Sequence, residues 1–200
     1  MKGIILLNGD PYEGKIDAEN ALVYCCDGAY DWAKGQVRID KNVGDFDSVS
    51  EIPCPAPEEI YPAEKNFTDG EIALSQLIGA GADELEIYGG GGGRCDHFLG
   101  NLHLLYRAAE CGINCVMVTA DSEIYAVRGK IELGKFFSKT LSVLPFGGAL
   151  HIMEYRGLKY DYPETLVYGS GRGISNVVTA EDAYIVIDGC ALVIINRGSV

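Results

Sequence analysis

The sequence predicts an α/β N-terminal domain with a largely parallel sheet, followed by a small all-β sandwich domain. Three observations carry this. Up to about Arg128, short apolar runs alternate with stretches of helical spacing, the pattern of strands joined by helices. Beyond it, helical spacing disappears and short β-branched runs are separated by Gly, Pro and Asp turns. At 200 residues and 48% hydrophobic content, the chain can bury the core of one domain or of two small ones. The expected domains are 1–128 and 129–200, with the boundary at Val127–Lys130.

In chain order, the runs expected as strands are Gly3–Leu7, Ala21–Cys26, Ile60–Tyr61, Glu84–Tyr88 and Asn114–Thr119. A helix is expected over Asp69–Ile78, with Ile72, Ala73, Leu77 and Ile78 apolar and Gly79 at its end. Thr68 and Glu71 form a capping box at its start. A longer helix covers His97–Glu110, with Phe98, Leu99, Leu102, Leu105, Tyr106 and Ala109 on one side and Gly112 placed to stop it. The strand runs of the second domain are Ile131–Leu133, Thr140–Leu144, Leu150–Met153, Leu166–Tyr168, Tyr184–Ile187 and Ala191–Ile195.

Composition excludes several classes of function. A formal charge of −13 would repel nucleic acid and anionic membranes. The apolar runs are too short to cross a bilayer and the first residues do not read as a signal peptide, so a cytoplasmic protein is expected. Seven cysteines without CxxC spacing or partner histidines indicate reduced thiols, not zinc ligands or a disulfide framework.

Several constellations could carry chemistry. Asp45 and Asp47, in Gly44-Asp45-Phe46-Asp47-Ser48, would stand about 6–7 Å apart on one side of an extended chain. Such a pair suffices as the protein side of a Mg²⁺–nucleotide site, and equally suits a polar turn. Asp69, in the first turn of its helix, gains from the helix dipole and is free to reach a metal. Lys65 just upstream is placed to meet a phosphate or to be solvated. Asp27, at the carboxyl end of a strand, is either a ligand-facing residue or the cap of a short helix over Tyr30–Lys34.

The run Gly89–Gly93 joins a strand directly to a helix, which is phosphate-binding geometry, not the setting of a domain linker. It lacks the lysine of a P-loop. Arg94 can grip phosphate oxygens in a bidentate manner, Asp96 falls at the expected N-cap, and His97 and Asn101 share a helix face. No Ser–His–Asp or Cys–His arrangement is evident, His103 and His151 read as structural, and Trp32 reads as core packing. In the second domain, Gly169–Asn176 is a turn-rich loop that offers hydroxyl, amide and backbone groups.

Taken in order, DGAYDWA, GDFDS, KNFTDGEIAL, GGGGGRCDHFLGN, GLKYDYP and GRGISN resemble the thiamin pyrophosphokinase family over about the whole chain. The resemblance implies a homodimer, with active sites at the subunit interface, that transfers pyrophosphate from ATP to the hydroxyethyl oxygen of thiamin and releases AMP. It further implies Mg²⁺ carboxylates at Asp45, Asp47 and Asp69, with Asp27 and Gly28 nearby. Asp27, Gly28, Lys65, Thr68, Gly91, Gly92 and Arg94 would serve ATP, supported by His97 and Asn101. Asp96 would sit at the metal–phosphate centre or orient the thiamin hydroxyl, and Ser175 and Asn176 would meet thiamin.

Three departures stand out: Asn66 replaces an Asp, Ala29 replaces the second glycine of DGG, and no tryptophan lies in the second domain, where Tyr160, Tyr162 or Tyr168 could substitute. Two alternatives accompany this reading. One is another DxD metal-dependent transferase that uses nucleotides, and the other is a thiamin or nucleotide binder that does not catalyse.

Overall fold

The computed structural model describes residues 1–46, 49–58 and 66–198. The expected strand at Ile60–Tyr61, and the candidate residues Asp47 and Lys65, lie outside the described residues. Two compact units are present, Met1–Ala120 and Asp121–Val200.

The first unit holds β1 (Lys2–Leu6), β2 (Ala21–Cys26), β3 (Lys41–Val43), β4 (Glu84–Tyr88) and β5 (Asn114–Val118), with helices α1 (Ala29–Ala33), α2 (Asp69–Gly79) and α3 (Cys95–Glu110). Its strands pair in parallel in the order β5-β4-β1-β2-β3. The chain therefore builds outward from β1 to β3, then returns to β1's other side for β4. Ligands of open α/β sheets bind beyond the strand ends at such a reversal, here between β1 and β4.

Parallel strands covered on both faces read as continuous apolar runs, and Ile4, Ile5 and Leu6 are all fully buried. Ile4 and Leu6 cluster with Ala29, Tyr30 and Ala33 of α1. On the opposite face, Gly3 lies against Leu77 of α2, where a Cβ would come within 3.2 Å of its methyls. The helices therefore cover both faces. In α3 the buried stripe is Leu102, Leu104, Leu105 and Ala108, so Leu99, expected inside, is exposed. The structure brings Leu104 into contact with this face instead, beside Gly70 of α2.

The second unit is antiparallel throughout its named strands: β6 (Ser122–Glu132), β7 (Thr140–Pro145), β8 (Leu150–Arg156), β9 (Thr165–Leu166), β10 (Asn176–Val177) and β11 (Tyr184–Asn196). The chain thus combines parallel and antiparallel sheet. Two expected strands, Tyr184–Ile187 and Ala191–Ile195, are one strand. Asp188-Gly189 reads as a turn in sequence, yet here it accommodates a bulge, with Gly189 at φ 107° and a register shift between Ile187 and Ala191. The bulge re-aims the strand, which pairs with β8 before it and with β7 after it. Leu133, Leu141, Val143, Leu150, Ile185 and Val193 form part of this unit's core.

Leu105 is fully buried in the helix that leads out of the glycine run. Leu105→Ala is expected to cost about 2–5 kcal/mol and to lower Tm by roughly 5–15 °C, read by circular dichroism.

Candidate active site

The β1–β4 pairing does not stop where the strands stop. Leu7 N–H donates to Tyr88 O, Gly9 N–H to Gly89 O, and Asp10 N–H to Gly91 O, each at 2.8 Å. The segment after β1 thereby holds the glycine run at the switch point. Space then dictates the residue type. A Cβ on Gly89 would lie 2.2 Å from Leu7 O, one on Gly90 2.3 Å from Met117 Sδ, and one on Gly92 1.8 Å from an Asp10 carboxylate oxygen. Gly92 and Gly93 also sit at φ 65° and 61°. Asn101, from α3, donates through Nδ2 to Gly90 O at 2.9 Å and ties the helix back to the loop. Trp32 Nε1 donates to Leu7 O at 3.1 Å, so this tryptophan braces the other side as well as packing on the core.

A cleft of about 800 Å³ opens here. It is lined by the segment after β1 (Leu7 to Gly9), by Cys26 at the end of β2 and Asp27 after it, by the lead-in and first turn of α2 (Asn66 to Glu71), and by the glycine run with the start of α3. Arg94, Asp96, His97 and Asn101 all face it. Two helix N-termini, those of α2 and α3, therefore open into one cleft, which favours an anion.

At α2 the capping box is present as expected: Thr68 N–H donates to Glu71 Oε2 at 2.8 Å and Glu71 N–H to Thr68 Oγ1 at 3.2 Å. Glu71 also pairs with Arg107 of α3 at 2.7 Å. At α3 the N-cap is Arg94 and not Asp96, which lies in the first turn. The reason is local: Asp96 is engaged by the Arg94 fork, Nη2 to Oδ2 at 2.6 Å and Nε to Oδ1 at 3.1 Å, and accepts from His97 N–H. The Arg94 guanidinium holds the Asp96 carboxyl down at about 2.

Asp27 likewise does not cap α1, whose N-cap is Gly28. It adopts φ 44°, and its Oδ1 accepts from Phe46 N–H at 3.1 Å. This bond ties the Asp45 loop to the end of β2. Gly44 belongs to the same contact, since a Cβ there would meet Asp27 Cα at 3.1 Å. Asp45 is half-buried two residues beyond β3 and is not part of the cleft lining. The cysteine beneath, Cys25, is pushed up to about 12 by burial and by Asp27, so it stays a thiol.

The lining carries four carboxylates (Asp27, Asp69, Glu71 and Asp96) against the Arg94 guanidinium. Among the described residues this balance is acidic, so a cation would favour a polyphosphate there. The donors are hard oxygens, including the Asn66 amide, which suits Mg²⁺ held by one or two carboxylates together with substrate phosphates. Among the described residues no three His, Cys, Asp or Glu side chains form a closed metal cage. Asn8, Gly9 and Asp10 escaped sequence reasoning; their position directly after the first strand is the signal that could have found them.

In the second unit, Ser175 is exposed at φ 61°, and its N–H donates to Ser142 Oγ at 3.1 Å. Asn176 is buried, and its amide clamps the Tyr160 backbone: Nδ2 donates to Tyr160 O at 2.8 Å and Oδ1 accepts from Tyr160 N–H at 3.0 Å. Of the tyrosines weighed as ring contacts, Tyr162 is buried, packed edge-on against Tyr155, while Tyr160 and Tyr168 are exposed. Val167 and Ile174 are exposed too.

Comparison with known proteins gives one answer. The family model described as thiamin pyrophosphokinase, catalytic domain, matches residues 15–117, and that of the thiamin pyrophosphokinase vitamin B1 binding domain matches 128–189. Thiamine pyrophosphokinase of Bacillus subtilis (strain 168) is 34% identical over 142 residues, 66% of each chain. The crystal structure of thiamine pyrophosphokinase from Bacillus subtilis superposes with a TM-score of 0.81 at 26% identity, covering 98% of both chains. Thiamin pyrophosphokinase from Candida albicans shares the fold, with a TM-score of 0.77 at 16% identity over 98% of this chain and 89% of that one.

Two predictions follow the geometry. Gly92→Ala and Gly93→Ala share the backbone penalty of about 1–2 kcal/mol, but only Gly92→Ala drives a methyl into Asp10, so thermal melts should show the larger loss there. A lowered carboxyl pKa means that the Arg94–Asp96 pairing persists at neutral pH and is lost as pH falls through about 2. In an NMR titration, Arg94→Ala should return Asp96 toward the ordinary carboxylate range.

Proposed function

The chain belongs to the thiamin pyrophosphokinase family, and from that premise we propose how its residues carry out the family's reaction, transfer of pyrophosphate from ATP to thiamin. The observation that carries the proposal is the oxygen-lined cleft at the β1–β4 reversal, with two helix N-termini and a glycine run converging on it. The polyphosphate lies along the glycine run, where Gly92 and Gly93 leave backbone exposed to it; Gly91, expected to serve ATP, is buried outside the lining and supports the run through its carbonyl, which accepts from Asp10 N–H. Arg94 and His97, with Thr68, Gly28 and Lys65, complete the ATP site, and Asn101 keeps the loop in place.

Asp69, with Asp45 and Asp47, would hold Mg²⁺, which would supply charge neutralisation for the phosphates when bound. The thiamin hydroxyl oxygen forms a bond to the β-phosphorus as the bond from that phosphorus to the α–β bridging oxygen breaks; AMP departs with the electron pair, and the hydroxyl proton is released to water. Such transfer demands mainly positioning and charge neutralisation. Asp96, held low by Arg94, is a poor proton acceptor; it orients the guanidinium and the incoming hydroxyl. Asp27 fixes the Asp45 loop against the end of β2.

Thiamin is held by the second unit, through Ser175 and the surface that Asn176 shapes. That unit is a small sandwich in this reading, supported by the partner exchange of β11 at its bulge. The protein works as a cytoplasmic homodimer with active sites at the subunit interface; exposed Tyr160, Val167, Tyr168 and Ile174 support a buried role for this surface. No helix among the described residues is long and apolar enough to cross a membrane.

Incubation with Mg-ATP and thiamin should yield thiamin diphosphate and AMP. Asp69→Asn, Asp45→Asn and Asp47→Asn should each abolish turnover with melting curves preserved. Activity retained in all three would sink the metal assignment. A nucleoside diphosphate as product would favour another transferase, and thiamin binding without AMP release would favour a non-catalytic binder.

A further inference from the structure

Phe67 has no place in the chemistry above, yet it lines the cleft with 57% of its surface exposed. The other apolar side chains in the lining, Leu7 and Cys26, are buried at 6% and 3% exposure. Among the described residues, everything else around the cleft is glycine, charged or polar, the imidazole of His97 included. Phe67 is therefore the apolar aromatic face that these residues present. It does not hang from a loose end: the next residue, Thr68, is locked in the capping box of α2. An exposed aromatic ring on a fixed backbone, beside a phosphate-binding loop, is the arrangement used to stack a nucleobase.

We propose that Phe67 is the stacking platform for the purine ring of the nucleotide and sets the preference for ATP over phosphate chains without a base. This rests on the reading of the cleft as the ATP site. Thiamin also carries planar rings, but the vitamin B1 binding model matches 128–189, whereas every residue of this cleft belongs to the unit matched by the catalytic model or precedes that match. The ring that the first unit must meet is therefore the base.

The test is calorimetric titration of the full chain with Mg-ATP and, separately, with magnesium and inorganic triphosphate. Phe67→Ala should weaken Mg-ATP about tenfold, leave triphosphate binding unchanged and keep the melting temperature of the parent, and Phe67→Tyr should restore ATP binding. Unchanged ATP affinity in Phe67→Ala overturns the proposal while leaving the ATP site intact. Equal weakening of ATP and triphosphate overturns it too, because the loop and not the base contact would then be at stake. A rise confined to the KM for thiamin overturns the assignment to the base. Failure of the parent protein to bind either phosphate compound removes the cleft reading and this proposal with it.

Discussion

Three backbone hydrogen bonds, from Leu7, Gly9 and Asp10 to the carbonyls of Tyr88, Gly89 and Gly91, hold the rest of the site in place. They extend a parallel ladder beyond its strands, into a stretch where the chain would otherwise be free to wander. Their cost is spatial. Neighbouring backbone, Met117 and the Asp10 carboxylate fill the volume where side chains would stand, so Gly89, Gly90 and Gly92 must be glycine for reasons of packing before any ligand is considered. The close approach that a phosphate would exploit on one side follows from the close approach already made on the other.

Charge is the second constraint. A protein of formal charge −13 concentrates further carboxylates around the cleft, offset by two helix N-termini and one guanidinium that is itself bonded to Asp96. Neither Arg94 nor Asp96 acts as an independent charge. The fork that would grip a phosphate is occupied by a carboxylate at 2.6 Å, so a phosphate that bound this guanidinium would have to exchange with Asp96. Glu71 shows a similar economy, capping α2 and pairing with Arg107 of α3 at once.

Elements specified by short-range rules were legible in the sequence. The Thr68–Glu71 capping box and the bounds of β2 and β4 follow from local pattern alone. The glycine run announced a close approach without saying to what. What escaped was long-range. Asp27 and Asp96 have the right chemistry for N-caps, but a bond to Phe46 and the Arg94 fork claim them instead. Asp188-Gly189 has the composition of a turn, and only its neighbours on both sides reveal a bulge. Asn8–Asp10 carry no motif at all; their importance exists only once β4 lies alongside β1.

Asn176 shows how a side chain can govern a surface it does not occupy. Its amide is spent on both backbone groups of Tyr160 and on the N–H of Val177, so it splints the segment that displays the Tyr160 ring. Mutational loss at such a position would imitate loss of a ligand contact while reporting on the shape of a loop sixteen residues earlier in the chain. In this unit, what a side chain bonds and which surface it shapes are separate quantities.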